Sequence, residues 1–126
     1  MTIGFLGTGK MAEAILSSVV QGGLCEPWEV VACDTSAERR DWIAKQYEVA
    51  VTDDAVQTVK SCKVLVVAVK PQDLDALLAG LKGRLTERHL VISIAAGKTL
   101  AALKKAAGSK PRLVRVMPNL ALSVQE

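Results

Sequence analysis

From Val64 to Val69 the chain reads Val-Leu-Val-Val-Ala-Val, with no polar position in the run. A strand with one wet face alternates apolar and polar residues, whereas a strand covered on both faces reads as a continuous aliphatic run. Cover on both faces is what helices packed above and below a parallel sheet provide. The run therefore predicts an α/β fold: a doubly wound, mostly parallel sheet with helices on both faces. Aromatic residues make up only 3% of the chain, so the core has to be built from Val, Ile, Leu and Ala.

The rest of the chain repeats the same unit of apolar run, turn and helix pattern. Further strands are expected at Thr2–Gly7, Glu29–Cys33, Glu48–Val51, His89–Ala95 and Arg112–Met117, with the clearest one spanning Lys63–Val69. Helices are expected over Lys10–Gly22, over Ser36–Tyr47 with Ser36 as N-cap, after Asp53–Asp54, after Pro71, and over Thr99–Ala107. Leu74, Leu77, Leu78 and Leu81 form one apolar stripe at i, i+3, i+4 and i+7. Trp42 and Ile43 are both placed on the inner face of the second helix. At 126 residues the chain is the size of one domain, and right-handed crossovers put helices on both faces of its sheet.

The first turn carries the chemistry. Gly4–Leu16 reads GFLGTGKMAEAIL, with Gly7, Gly9 and Ala12 at G-x-G-x-x-A spacing between a strand and a helix. In that setting Gly7 permits a tight turn, Gly9 lets a backbone approach a pyrophosphate, and Ala12 keeps the helix close to the sheet. The helix starting near Lys10 points free N–H groups and its positive dipole end at such an anion. A turn that serves only the βαβ unit is the alternative.

Asp34 closes the second strand, 25 positions after Gly9, where an acidic residue can grip the ribose of NAD. Thr35, Ser36, Arg39 and Arg40 follow, and hydroxyls with guanidinium groups suit the 2′-phosphate of NADP. Asp34 can equally be the first residue of a turn before a Ser-capped helix. Three further loops follow buried strands on the same edge: Ala68–Gln72, Ile94–Thr99 and Val116–Asn119. Lys70 is read either as a solvated strand-end lysine or as a cation near the nicotinamide or a substrate carboxylate. Pro71 suits the first position of a helix. Asp54 is read as a helix cap, with a second possible role at the adenine edge.

No nucleophile-and-base constellation is evident, and none is required for hydride transfer, in which the protein positions the cofactor and excludes water. His89, the one histidine, reads as structural. Cys25, Cys33 and Cys62 are far apart and form no C-x-x-C, so they read as buried thiols of a cytoplasmic protein rather than metal ligands. The net charge of +3 is scattered, which argues against nucleic acid. No apolar run approaches membrane-spanning length, and no signal-peptide pattern opens the chain.

Four blocks, IGFLGTGKMAEAIL, AVKPQDL, LVISIAAGKTL and VRVMPN, occur in the order and spacing of pyrroline-5-carboxylate reductases, and the chain resembles that family over essentially its whole length. The resemblance implies reduction of a cyclic imine carboxylate, 1-pyrroline-5-carboxylate, to L-proline with NADPH, and with NADH as the lesser cofactor. It implies that Leu6, Gly7, Thr8, Gly9, Lys10 and Met11 wrap the pyrophosphate and that Asp34, Thr35 and Ser36 meet the adenosine ribose. Ala68, Val69, Lys70 and Pro71, together with Ala95, Ala96 and Gly97, would line the nicotinamide and its ribose. Asn119 would lie where nicotinamide and substrate meet.

The family usually continues M-P-N-T-P-A, whereas Met117-Pro118-Asn119 is followed here by Leu120-Ala121-Leu122. The family also carries a C-terminal helical domain, which forms the homodimer and much of the substrate pocket, and the 126 residues hold nothing like it. Residues 1–126 are thus expected to be a Rossmann-type cofactor domain that turns over poorly alone. The alternatives are a related NADP-dependent oxidoreductase, such as a deazaflavin-dependent NADP reductase, and a non-catalytic nucleotide-binding module.

Overall fold

In the computed structural model, residues 2–94 and 99–116 are described. Six strands, β1 (Ile3–Leu6), β2 (Val30–Cys33), β3 (Ala50–Thr52), β4 (Val64–Val67), β5 (Leu90–Ser93) and β6 (Arg112–Arg115), form one sheet. Its order is β3-β2-β1-β4-β5-β6, and every pairing is parallel. Five helices connect the strands: α1 (Lys10–Gln21), α2 (Ala37–Tyr47), α3 (Ala55–Ser61), α4 (Pro71–Leu81) and α5 (Leu100–Ala107). A 3-10 turn, Pro27–Glu29, leads into β2. The doubly wound α/β architecture expected from the aliphatic runs is the one observed.

Alternate residues of each strand feed two separate cores. Ile3, Phe5, Val30, Ala32 and Val66 pack with Ala12 and Leu16 of α1 and Ile43 of α2. Leu6, Leu65, Val67 and Val91 point the other way, onto Val59 of α3, Leu74, Leu78 and Leu81 of α4, and Leu103 of α5. This is why β4 has no polar alternation: both of its faces are buried. Full burial of a Leu or Phe side chain contributes about 1.5–3 kcal/mol, and the leucine stripe of α4 is spent on this contact. Gly4 lets α3 press against β1, since a Cβ there would stand 2.6 Å from Thr58 Cγ2.

The strands are shorter than their apolar runs, yet inter-strand bonding continues one residue past their ends. Ala68, for example, donates its N–H back to Leu6 O at 2.8 Å, at the carboxyl edge of the sheet. The largest departure is Trp42, which is 46% exposed while Ile43 beside it is fully buried. Successive helical residues point about 100° apart, so only one of the pair can face the sheet. His89 is buried: its Nδ1 accepts from Thr86 N–H at 2.9 Å and its Nε2–H donates to Val59 O at 2.9 Å, a structural role in one neutral tautomer. Cys25, Cys33 and Cys62 are free and buried, and burial raises the pKa of the Cys33 and Cys62 thiols. Among the described residues no helix is long and apolar enough to cross a membrane.

Candidate functional site

Parallel connectivity brings the loops after β1, β2 and β4 together at one edge. Gly7 N–H donates to Cys33 O at 2.8 Å, and Asp34 N–H donates to Thr52 O at 3.1 Å. The two glycines of the first turn do different work. Gly7 has φ +102°, and a Cβ on it would lie 2.9 Å from the carbonyl carbon and oxygen of Ala68. The fold itself therefore requires glycine at that position. Gly9 has φ −65° and ψ −177°, open to any residue, and a Cβ there would meet nothing within 4 Å. Among the described residues no contact explains its missing side chain.

Gly9 is the N-cap of α1, and no side chain caps that helix. By contrast, α2, α3 and α5 are capped by Ser36, Asp54 and Thr99, which accept from Arg39, Gln57 and Ala102 N–H. Serine, threonine or aspartate at an N-cap is the ordinary solution for the free N–H groups of a helix start. Here the helix start carries no side-chain cap, and among the described residues nothing would meet a Cβ at Gly9 within 4 Å; such a start fits a phosphate. The α4 start also lacks a side-chain cap, but Pro71 at its first position removes one of the free donors.

The turn is locked from below. Thr8, 2% exposed, donates its N–H to Asp34 Oδ2 at 2.9 Å and its Oγ1–H to the same oxygen at 2.6 Å. Asp34 Oδ1 accepts from Ser36 N–H at 2.9 Å. Asp34 lies one residue beyond β2, and both of its oxygens accept from the two turns. Burial works against the Asp34 carboxylate, yet the Thr8 and Ser36 bonds and nearby Arg39 outweigh it and hold its pKa below the usual aspartate value.

Arg39 and Arg40 are engaged as well. Arg39 donates through Nε (3.0 Å) and Nη2 to Thr8 O, and through Nη2 to Glu13 Oε1 at 2.7 Å. Arg40 Nη1 donates to Asp34 O at 2.8 Å. Glu13 also accepts from Tyr47 Oη–H at 2.7 Å and from Trp42 Nε1–H at 3.2 Å. The Arg39 and Tyr47 bonds keep the Glu13 carboxyl below its usual pKa. The sequence reading had no place for Glu13. The available signal was that Arg39, Trp42 and Tyr47 share one face of α2, and a carboxylate on α1 could answer it.

Of the other expected residues, Leu6 has its side chain in the core and offers backbone only, while Gly9, Lys10, Lys70 and Pro71 are exposed at the edge and Met11, Ala68 and Val69 are half-buried. Thr35 is exposed in the turn after β2. Asp54 caps α3, its Oδ1 accepting from Gln57 N–H at 3.1 Å. Ala95, Ala96, Gly97 and Asn119 lie outside the described residues.

A 3-2-1-4-5-6 parallel sheet entered through a glycine turn at an uncapped helix defines the Rossmann class of α/β domains. The chain belongs to the family described as NADP oxidoreductase coenzyme F420-dependent, whose profile matches residues 2–97. It is 37% identical over 124 residues to the pyrroline-5-carboxylate reductase of Methanosarcina acetivorans, covering 98% of this chain and 46% of that one. It is 35% identical over 125 residues to the enzyme of the same name from Arabidopsis thaliana, covering 98% of this chain and 45% of that one. A pyrroline-5-carboxylate reductase structure from Coxiella burnetii superposes with a TM-score of 0.90 at 33% identity, covering 98% of this chain and 46% of that one. A Plasmodium falciparum pyrroline carboxylate reductase with NADP bound gives 0.83 at 25% identity, over 100% of this chain and 45% of that one. The chain thus spans a little under half the length of these relatives.

Proposed function

We propose that residues 1–126 are the cofactor-binding domain of a pyrroline-5-carboxylate reductase that uses NADPH, with NADH as the lesser cofactor. The observation that carries this reading is the match over nearly the whole chain to reductases of that name, at 37% identity to one relative and a TM-score of 0.90 to a solved structure. When bound, the dinucleotide supplies the hydride that reduces the imine carbon, while a proton goes to the ring nitrogen. The chain's own contribution is to bind and orient. The Leu6–Met11 turn wraps the pyrophosphate, with Leu6, Gly7 and Thr8 shaping the turn and the N–H groups of Gly9, Lys10 and Met11 facing the anion, and the Asp34–Ser36 turn meets the adenosine ribose, with Asp54 at the adenine edge. Ala68, Val69, Lys70 and Pro71, Ala95, Ala96 and Gly97, and Asn119 line the nicotinamide half. The substrate is a small cyclic imine carboxylate, the complete protein is a homodimer or larger, and its location is cytoplasmic.

The test is loss of NADPH absorbance when the full-length protein meets 1-pyrroline-5-carboxylate. Turnover to proline is expected. A second reading, a deazaflavin-dependent NADP reductase, is favoured by the description of the matching family. It predicts the opposite pattern: no turnover with the imine, and NADPH oxidation by an oxidised deazaflavin.

A further inference from the structure

Among the described residues, the side chains that donate to Glu13, namely Arg39, Trp42 and Tyr47, all come from α2. Glu13 itself sits in the first turn of α1, the helix whose open N-terminus is the phosphate cradle. A carboxylate there opposes anion binding through the helix field, unless a cation offsets it. That cation is Arg39, whose guanidinium lies between the glycine turn and the turn after β2, on Thr8 O. With side-chain exposures of 33% for Arg39 and 22% for Glu13, the pair stays open to ligand while partly shielded from bulk screening.

On the dinucleotide reading above, on which this inference rests, the junction of those two turns is where the adenosine ribose lies. There the 2′-phosphate is what separates NADPH from NADH, and a nearby arginine accommodates it. Asp34, the residue that would otherwise favour the unphosphorylated ribose, already accepts three hydrogen bonds from Thr8 and Ser36, which leaves Oδ1 with little remaining capacity for a ribose. We propose that Glu13 sets the nucleotide preference of this site by acting on Arg39. Its carboxylate seats the guanidinium at the ribose subsite and offsets part of its charge, which tempers the attraction for a 2′-phosphate. Glu13 touches no cofactor atom in this account; it is a positioning residue.

The experiment is calorimetric titration with NADPH and NADH of the wild type, Glu13→Gln, Arg39→Gln and the double variant. Glutamine keeps an acceptor for Tyr47 and Trp42 but removes the charge. The ratio of the NADH Kd to the NADPH Kd should rise at least about threefold in Glu13→Gln, as expected for unmasking one partly screened charge beside a phosphate. That rise should vanish when Arg39 is also glutamine. Arg39→Lys, which keeps the charge, should retain a higher ratio than Arg39→Gln and provides a second route if Glu13→Gln folds poorly. A purely structural role moves both affinities together and leaves the ratio fixed. A fixed or lowered ratio in Glu13→Gln overturns the proposal, and so does a rise that persists without Arg39. If the wild type binds neither nucleotide, it is the dinucleotide reading itself that fails.

Discussion

Thr8 and Asp34 are joined twice: the backbone N–H and the hydroxyl of Thr8 both donate to Asp34 Oδ2, at 2.9 and 2.6 Å. The bond pair ties the middle of the glycine turn to the end of β2, across 26 positions of sequence. The two loops that have to act together on one ligand are thereby held as one body.

Replacing Asp34 with alanine leaves two buried Thr8 donors without their acceptor. An unsatisfied buried polar group costs about 1–3 kcal/mol, so urea denaturation of Asp34→Ala should show a loss in that range. Thr8→Val removes the hydroxyl donor together with the need for its acceptor and should cost less. Equal losses in the two variants would mean that the hydroxyl, rather than the Asp34 clamp on the loop, carries the stability.

The acid limb of stability follows from the same group. Asp34 and Glu13 both have folded pKa values below their ordinary ones, so the unfolded chain takes up protons first as pH falls. Their contribution is complete above the unfolded values of about 4 and is lost as pH drops through the lower folded values. Thermal melts should therefore be flat with respect to these groups from neutral pH to about 5 and decline below about 4. Asp34→Ala should have a shallower acid decline than wild type. An identical decline in the two proteins would remove Asp34 from the account.

Gly7→Ala should damage the fold directly. The added Cβ would meet Ala68 backbone atoms at 2.9 Å and has to adopt φ +102°. Strain of this kind costs about 1–3 kcal/mol from the backbone conformation alone, and the contact adds to it. A clear drop in Tm is expected from circular dichroism melts; an unchanged Tm would show that the turn relaxes freely and that Gly7 is dispensable to the chain.

Much of this was readable in the residues. Unbroken aliphatic runs such as Val64–Val69 betray burial on both faces, and the stripe at Leu74, Leu78 and Leu81 marks the buried side of α4. Ser36 and Asp54 announce helix starts because their side chains cap locally, within three residues. The Glu13–Arg39–Thr8–Asp34 chain was not readable, since its links join residues 26 to 31 positions apart, and which of several nearby charges pair is settled by helix packing. For the same reason Arg39 read only as a group suited to a 2′-phosphate, with no partner in the chain, and Trp42 as an inner-face residue. The difference between the two glycines was equally hidden, because spacing reports that both are small but not what each would strike.

Gly9 supplies the most direct measurement. Gly9→Val adds bulk where a Cβ would meet no described atom within 4 Å on an unstrained backbone, so the fold should form at no more than the cost of a poorer N-cap. Calorimetric titration with NADPH, alongside thermal melts, separates the two roles of the turn. Wild type should bind NADPH, and Gly9→Val should melt within about five degrees of it but lose at least about tenfold in affinity, as blocking the approach to a helix N-terminus should. Equal NADPH binding by the two proteins, or none by wild type, would contradict the claim that this turn is a dinucleotide cradle.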